Sequence, residues 1–138
     1  MRIFFLTVLL SSLTSTLHSQ IWLPTPLNDL RNERQIVPKA AKGFITDATA
    51  LKNLLFSAPH EQDVTAENSE TLLTIPLPDG NEATFSIVAY NLSQPADLAR
   101  YPNLRTWYGS NPDVPGQTIF LDWTARGFHA SVSGGNQP

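Results

Sequence analysis

The chain has 138 residues, with 9 Lys and Arg against 12 Asp and Glu, so its formal net charge is −3 at neutral pH. This balance argues against the clustered basic face that nucleic-acid binding requires. The chain contains no cysteine, which excludes disulfides, thiolate metal ligands and a cysteine nucleophile. The length corresponds to one domain of ordinary size.

The first 19 residues have the three parts of a secretory signal peptide. Arg2 supplies a positive charge, residues 3–10 (IFFLTVLL) form an apolar stretch, and a Ser- and Thr-rich segment ends at Ser19. This apolar stretch is much shorter than the ~20 residues that span a bilayer. We therefore expect an exported mature protein that starts near Gln20, has no membrane anchor, and resides in the periplasm, at the cell surface or outside the cell.

Residues 20–41 mix prolines, charges and isolated apolar residues without a sustained period, which predicts a leader arm anchored by Trp22. A domain is predicted over residues 42–133, followed by a flexible tail over residues 134–138. Asp47 has the features of a helix N-cap, and Pro59 is expected to end the helix. Between them, apolar residues recur at i, i+3, i+4 and i+7 on one helical face, namely Leu51, Leu54, Leu55 and Ala58.

Residues 60–70 (HEQDVTAENSE) are polar and acidic and are predicted to form an exposed loop. A hairpin follows, in which residues 78–80 (Pro-Asp-Gly) make the turn. Phe85 and Ile87 alternate with polar residues, so we expect one buried face. Because Pro76 and Pro78 both lack an N–H on the same side of the first strand, that strand is predicted at a sheet edge.

Residues 95–101 (PADLARY) are predicted to form a short helix and residues 104–108 a strand. A second hairpin is predicted from Thr118 to Val132, turning at residues 125–127. One of its faces carries Ile119, Leu121, Trp123, Phe128, Ala130 and Val132. The predicted fold class is α+β, with a mainly antiparallel β-sheet and one N-terminal helix in a single domain.

Residue patterns for catalysis are missing or incomplete. His60-Glu61 begins the zinc-hydrolase pattern, but Val64 occupies the position of the second histidine. Ser131 and Ser133 lack the G-x-S-x-G setting of a serine hydrolase, and His129 is interpreted as a half-exposed sheet residue. The carboxylates are scattered or lack the spacing of a calcium loop; they are Glu61, Asp63, Glu67, Glu70, Asp79, Asp97, Asp113 and Asp122. We predict no catalytic, cofactor-binding or metal-binding residue and no cofactor.

Three aromatic residues leave two interpretations open. Trp107, Tyr108 and Trp123 are able to form a stacking platform for a glycan, but a cysteine-free domain also needs such rings in its core. The core interpretation is favoured, and the platform is kept as the alternative.

The order of segments from Trp22 to Val132 resembles a known family region. The succession runs through Pro38, GFITDATALKNLLFSAP, IPLPDG, FSIVAYNLSQPADLARYPNLRTWYG and TIFLDWTARGFHASV. It is similar to the N-terminal propeptide-like region of secreted, Bacteroidetes-like reprolysin-type zinc metalloproteases, and LARYPNLRTWYG and ARGFHA are its most specific parts. The zinc-binding helix of that family is missing here.

The resemblance implies a non-catalytic, prodomain-like module of an exported zinc metalloprotease precursor, truncated or split. Such a module assists folding of the catalytic domain or masks it, and its partner is a zinc protease domain encoded downstream. The alternative is a free-standing secreted module that binds a glycan or a cell-surface protein. Neither function makes this chain an enzyme by itself.

Overall fold

A computed structural model describes residues 21–27, 41–91, 100 and 104–135. The predicted signal peptide, most of the leader arm, most of the PADLARY helix and residues 136–138 lie outside these ranges. The elements are β1 (Trp22–Thr25), β2 (Gly43–Thr46), α1 (Ala48–Phe56), β3 (Leu72–Pro76), β4 (Glu82–Tyr90), β5 (Arg105–Ser110), β6 (Thr118–Thr124) and β7 (Gly127–Ser133). A short 3-10 turn spans Ala66–Asn68.

The main sheet has five antiparallel strands in the order β3-β4-β5-β6-β7, and β1 and β2 form a separate antiparallel ribbon. Over the described residues this is the mostly antiparallel, β-rich structure, with helix α1 packed on it, that the sequence predicts. One face of the sheet, called the core face here, meets α1 through the buried Leu51 and Leu55. The strands contribute Leu73, Ile75, Ala83, Phe85, Ile87, Trp107, Ile119 and Leu121 to the same core.

The helix begins as predicted. The Asp47 side chain accepts hydrogen bonds from the backbone N–H groups of Thr49 and Ala50, at 2.9 and 3.0 Å. The first hairpin is also confirmed, since β3 pairs with β4 around the predicted turn, where Gly80 has a φ of 97°. The helix ends at Phe56 with Ser57 as its C-cap, two residues before Pro59, so Ala58 lies just beyond it.

The exposed loop predicted over residues 60–70 is confirmed for most of the segment but is wrong for two of its residues. Ala66 and Ser69 are buried, and the Ser69 hydroxyl donates to the carbonyl oxygen of Ile87 at 2.6 Å. In return, the Ser86 hydroxyl donates to the carbonyl oxygen of Ser69 at 2.5 Å. The 3-10 turn covers the opposite, outer face of the sheet, so Val88 is buried there and both faces of the interior strand β4 are covered. The two serine hydroxyls thus satisfy buried backbone carbonyl groups. Because serine is polar, the sequence alone did not distinguish these buried side chains from solvent-exposed ones.

The first part of the leader arm is a strand rather than irregular chain. β1 pairs with β2, and the indole Nε1–H of Trp22 donates to the carbonyl oxygen of Thr74 on β3 at 2.7 Å. The Trp22 ring also lies 5.9 Å from the ring of Phe128 on β7. Trp22 therefore contacts both outermost strands of the curled sheet.

Candidate functional site

The two outermost strands differ in the backbone groups that they leave free. In an antiparallel pair, alternate residues direct both N–H and C=O to one neighbour. The Leu77 N–H donates to the Asn81 oxygen at 2.8 Å, in register with the β3–β4 ladder. Leu72, Thr74 and Pro76 therefore face away from β4. That edge is obstructed, because Pro76 has no N–H and the Thr74 carbonyl already accepts from Trp22.

Among the described residues, no segment pairs with the other edge, on β7. The Asn111 N–H donates to the Gln117 oxygen at 2.9 Å and continues the β5–β6 register, so the odd-numbered residues of β6 bond to β5. The even-numbered residues bond to β7, where their partners are odd-numbered. Three β7 residues consequently direct N–H and C=O outward, namely Phe128, Ala130 and Val132. No backbone hydrogen bond from the described residues reaches these groups.

The sequence of β7, GFHASVS, contains no proline and no lysine. Those are the residues with which natural sheets usually protect an edge from pairing with another chain. The edge strand is seven residues long, and Ala130, Ser131 and Ser133 are exposed. We call the outward backbone of Phe128, Ala130 and Val132 the β7 edge.

A cleft of about 410 Å³ lies beside this edge, mainly on the outer face of the sheet. Its base is a row of registered residues on four successive strands, Tyr90, Thr106, Asp122 and His129. The Phe120 ring, half exposed, forms part of its wall and packs against the ring of Tyr108, with 5.2 Å between the centroids and an interplanar angle of 53°. Aromatic walls around a few polar groups are typical of a ligand-binding cleft.

Asp122 and His129 are hydrogen-bonded in the cleft, with 2.8 Å between Oδ1 and Nδ1. In the neutral imidazole the Nδ1–H donates to the carboxylate, so Nε2 carries a lone pair and accepts. Among the described residues, neither Asp122 Oδ2 nor His129 Nε2 has a hydrogen-bond partner. Ser131 lies on the same face, but no hydrogen bond joins its hydroxyl to His129, so the described contacts contain no nucleophile and base pair.

Sequence reasoning missed this pair, although it placed His129 correctly as a half-exposed sheet residue. The signal was present in the second hairpin. A turn centred on Ala125 and Arg126 puts residues 122 and 129 directly opposite each other, and the alternation of side chains along a strand places both on the face away from the core.

The aromatic platform of the glycan hypothesis is not formed. Trp107 is only 2% exposed, as the core interpretation predicts, and Tyr108 projects from the opposite face of β5. Trp123 lies on the core face, with its ring 6.3 Å from Phe128 and 5.9 Å from the Lys52 ammonium. The three rings therefore cannot contact one sugar together.

The remaining candidate residues are separated. His60 accepts from the Gln62 N–H through Nδ1 and lies 3.0 Å from the Asn91 amide through Nε2, so it is a bonded histidine rather than a solvated one. Asp79 belongs to the first turn, where hydrogen bonds from the Asn81 backbone and side chain lower the pKa of its carboxyl below the ordinary value of 3.8. Asp97 lies outside the described residues.

Within the ranges that the structure describes, no three His, Asp or Glu side chains are grouped so as to hold a metal ion. The same ranges contain no helix of the length and apolarity needed to cross a membrane. No protein-family model, curated protein or solved structure matches this chain.

Proposed function

We propose that this chain is a non-catalytic, prodomain-like module of an exported zinc metalloprotease precursor. It docks the protease domain by adding an extended segment of that domain to the β7 edge, and so assists its folding or masks it. The observation that carries the proposal is the open edge itself, with outward N–H and C=O groups on Phe128, Ala130 and Val132. The protease as partner rests on the resemblance of the sequence.

Strand addition suits this edge for two physical reasons. Three residues offer three N–H and three C=O groups, and each hydrogen bond made there contributes about 0.5–1.5 kcal/mol net. The neighbouring side chains on the core face, Phe128 and Val132, are only half buried. An added strand would cover them with its own alternate side chains, which contributes apolar burial as well.

A cell-surface protein is the alternative partner and would use the same edge. The two partners are distinguished by the DNA downstream of this chain. A zinc protease precursor requires an H-E-x-x-H helix with a third ligand in the same or an adjacent frame, whereas a free-standing module does not. Its absence from that DNA would contradict the protease proposal.

The direct test adds the full chain to the zinc protease domain encoded next to it. We expect a higher refolding yield of that domain or slower proteolysis by it. Val132→Pro removes one outward N–H and should weaken the effect. Leu72→Pro is the matched control, because it removes an outward N–H from the obstructed β3 edge, and it should leave the effect intact. Unchanged yield and rate well above micromolar concentration would overturn the proposal.

A further inference from the structure

Three polar side chains at the base of the cleft present hydrogen-bond acceptors, while the Tyr90 and Ser131 hydroxyls in its lining can donate as well as accept. Asp122 presents Oδ2, and His129 in its neutral form, with the Nδ1–H donated to Asp122, presents the Nε2 lone pair. The Thr106 hydroxyl donates to the Tyr90 carbonyl oxygen, so only its lone pairs remain. A ligand that satisfies these groups must itself be a donor.

The charge of Asp122 and the aromatic surface of the cleft favour a cationic ligand among the possible donors. Lysine and arginine side chains carry only donors, and Asp122 supplies the opposite charge. The exposed face of the Phe120 ring, together with Tyr90, offers the π surface that a cation prefers. A neutral polyol would also donate, but it would gain neither the charge-assisted hydrogen bond nor the cation–π contact.

The distance between the added strand and Asp122 determines whether a short or a long side chain can reach this carboxylate. A strand added to β7 would place alternate side chains on the outer face, one of them facing His129. From that position Asp122 is two strand spacings away, about 10 Å. Only a long side chain crosses this distance. The planar guanidinium of arginine has five donors, so it can bond to two acceptors at once, which the compact ammonium of lysine does less well.

We propose that the segment added to β7 carries an arginine facing His129, whose guanidinium enters the cleft and binds Asp122 Oδ2 and His129 Nε2 against the Phe120 ring. The inference rests on the strand addition proposed above and names the chemistry of the partner segment. Such an arginine would make binding at the β7 edge depend on the sequence of the partner segment, since backbone pairing alone accepts any extended chain.

The test titrates the full chain with a fluorescent nine-residue peptide of alternating Thr and Val that carries one central Arg. The comparison peptide has citrulline at that position, which keeps the shape and removes the charge. Citrulline keeps hydrogen-bond donors and loses the charge, and a charge-assisted hydrogen bond is roughly twice as strong as a neutral one, so the Arg peptide should bind about five- to tenfold more tightly. Asp122→Asn should abolish this preference and keep the citrulline affinity, because its Oδ1 can still accept from His129.

Asp113→Asn is the matched control, because it removes an exposed carboxylate from the β5–β6 loop, away from the cleft. It should retain the full preference for Arg. Equal affinity for the two peptides, sensitive to Val132→Pro, would overturn the arginine site and leave strand addition standing. A preference unchanged in folded Asp122→Asn would overturn the site at Asp122. No binding of either peptide at millimolar concentration would overturn strand addition itself.

Discussion

Replacing Phe85 with alanine should lower the free energy of unfolding by about 3–5 kcal/mol. Phe85 is the largest of the fully buried side chains and lies opposite Leu73 in the β3–β4 ladder. It belongs to the core that the sheet shares with Leu51 and Leu55 of α1. Its removal therefore costs the transfer of a whole ring and leaves a cavity that surrounding strands fill only in part. The loss is a large fraction of the ~5–15 kcal/mol that stabilises a typical domain.

Phe120→Ala is the matched control, because the same ring on the same sheet is 50% exposed on the outer face. Half of the ~1.5–3 kcal/mol for full burial gives about 1 kcal/mol, and no enclosed cavity forms. Urea unfolding of both variants, followed by circular dichroism and fitted with a common slope, measures the difference. A Phe85→Ala loss no larger than that of Phe120→Ala would refute the assignment of the two faces.

Other substitutions test local features of the structure. Gly109→Ala should cost at least about 2 kcal/mol in a urea titration, because the new Cβ would lie 2.8 Å from the Ile87 side chain; wild-type stability would contradict the close strand packing. Trp22→Phe should cost about 1–2 kcal/mol, because the Thr74 carbonyl loses its donor; an unchanged midpoint would mean that water replaces the indole. The pKa of the Asp79 carboxyl should lie below 3.8 by NMR. Since this pKa is lowered by folding, its contribution to stability is present above the unfolded value and is lost as the pH falls through the folded value.

Local signals in the sequence were sufficient for the parts of the fold that depend on neighbouring residues. The Asp47 cap, the leucine spacing of α1 and the Pro-Asp-Gly turn each act within a few residues, and all three are confirmed. The strand β1 and the burial of Ala66 and Ser69 were missed because they depend on long-range contacts. The hydrogen bond from Trp22 to Thr74 spans 52 positions, and residues 20–41 show no periodicity that predicts it.

In the candidate site, too, only the features that depend on neighbouring residues were predictable from the sequence. The proline pattern predicted that one edge of the sheet lacks donors, and alternation in the second hairpin predicted which of its side chains face the core. The cleft was not predicted, because its base combines single residues from four strands whose mutual register is set by the whole sheet. The alternative prediction of an aromatic platform failed for a related reason. Trp107 and Tyr108 are adjacent in one strand, so their rings lie on opposite faces of the sheet.

The two sheet edges differ in how far their backbone groups are obstructed. This difference is the strongest reason to regard β7 as functional. An edge strand left unpaired invites association with any extended chain, and sheets usually counter this with proline, lysine or covering segments. This chain uses such means on β3, where Pro76 lacks a donor and Trp22 occupies a carbonyl, yet β7 has neither proline nor lysine. Within the part of the chain that the structure describes, one edge is therefore obstructed and the other lacks a backbone partner, beside a cleft that contains the acceptors of Asp122 and His129. A partner strand at β7 would account for both the exposed backbone and the unpaired polar atoms of Asp122 and His129, whereas an unoccupied edge would account for neither.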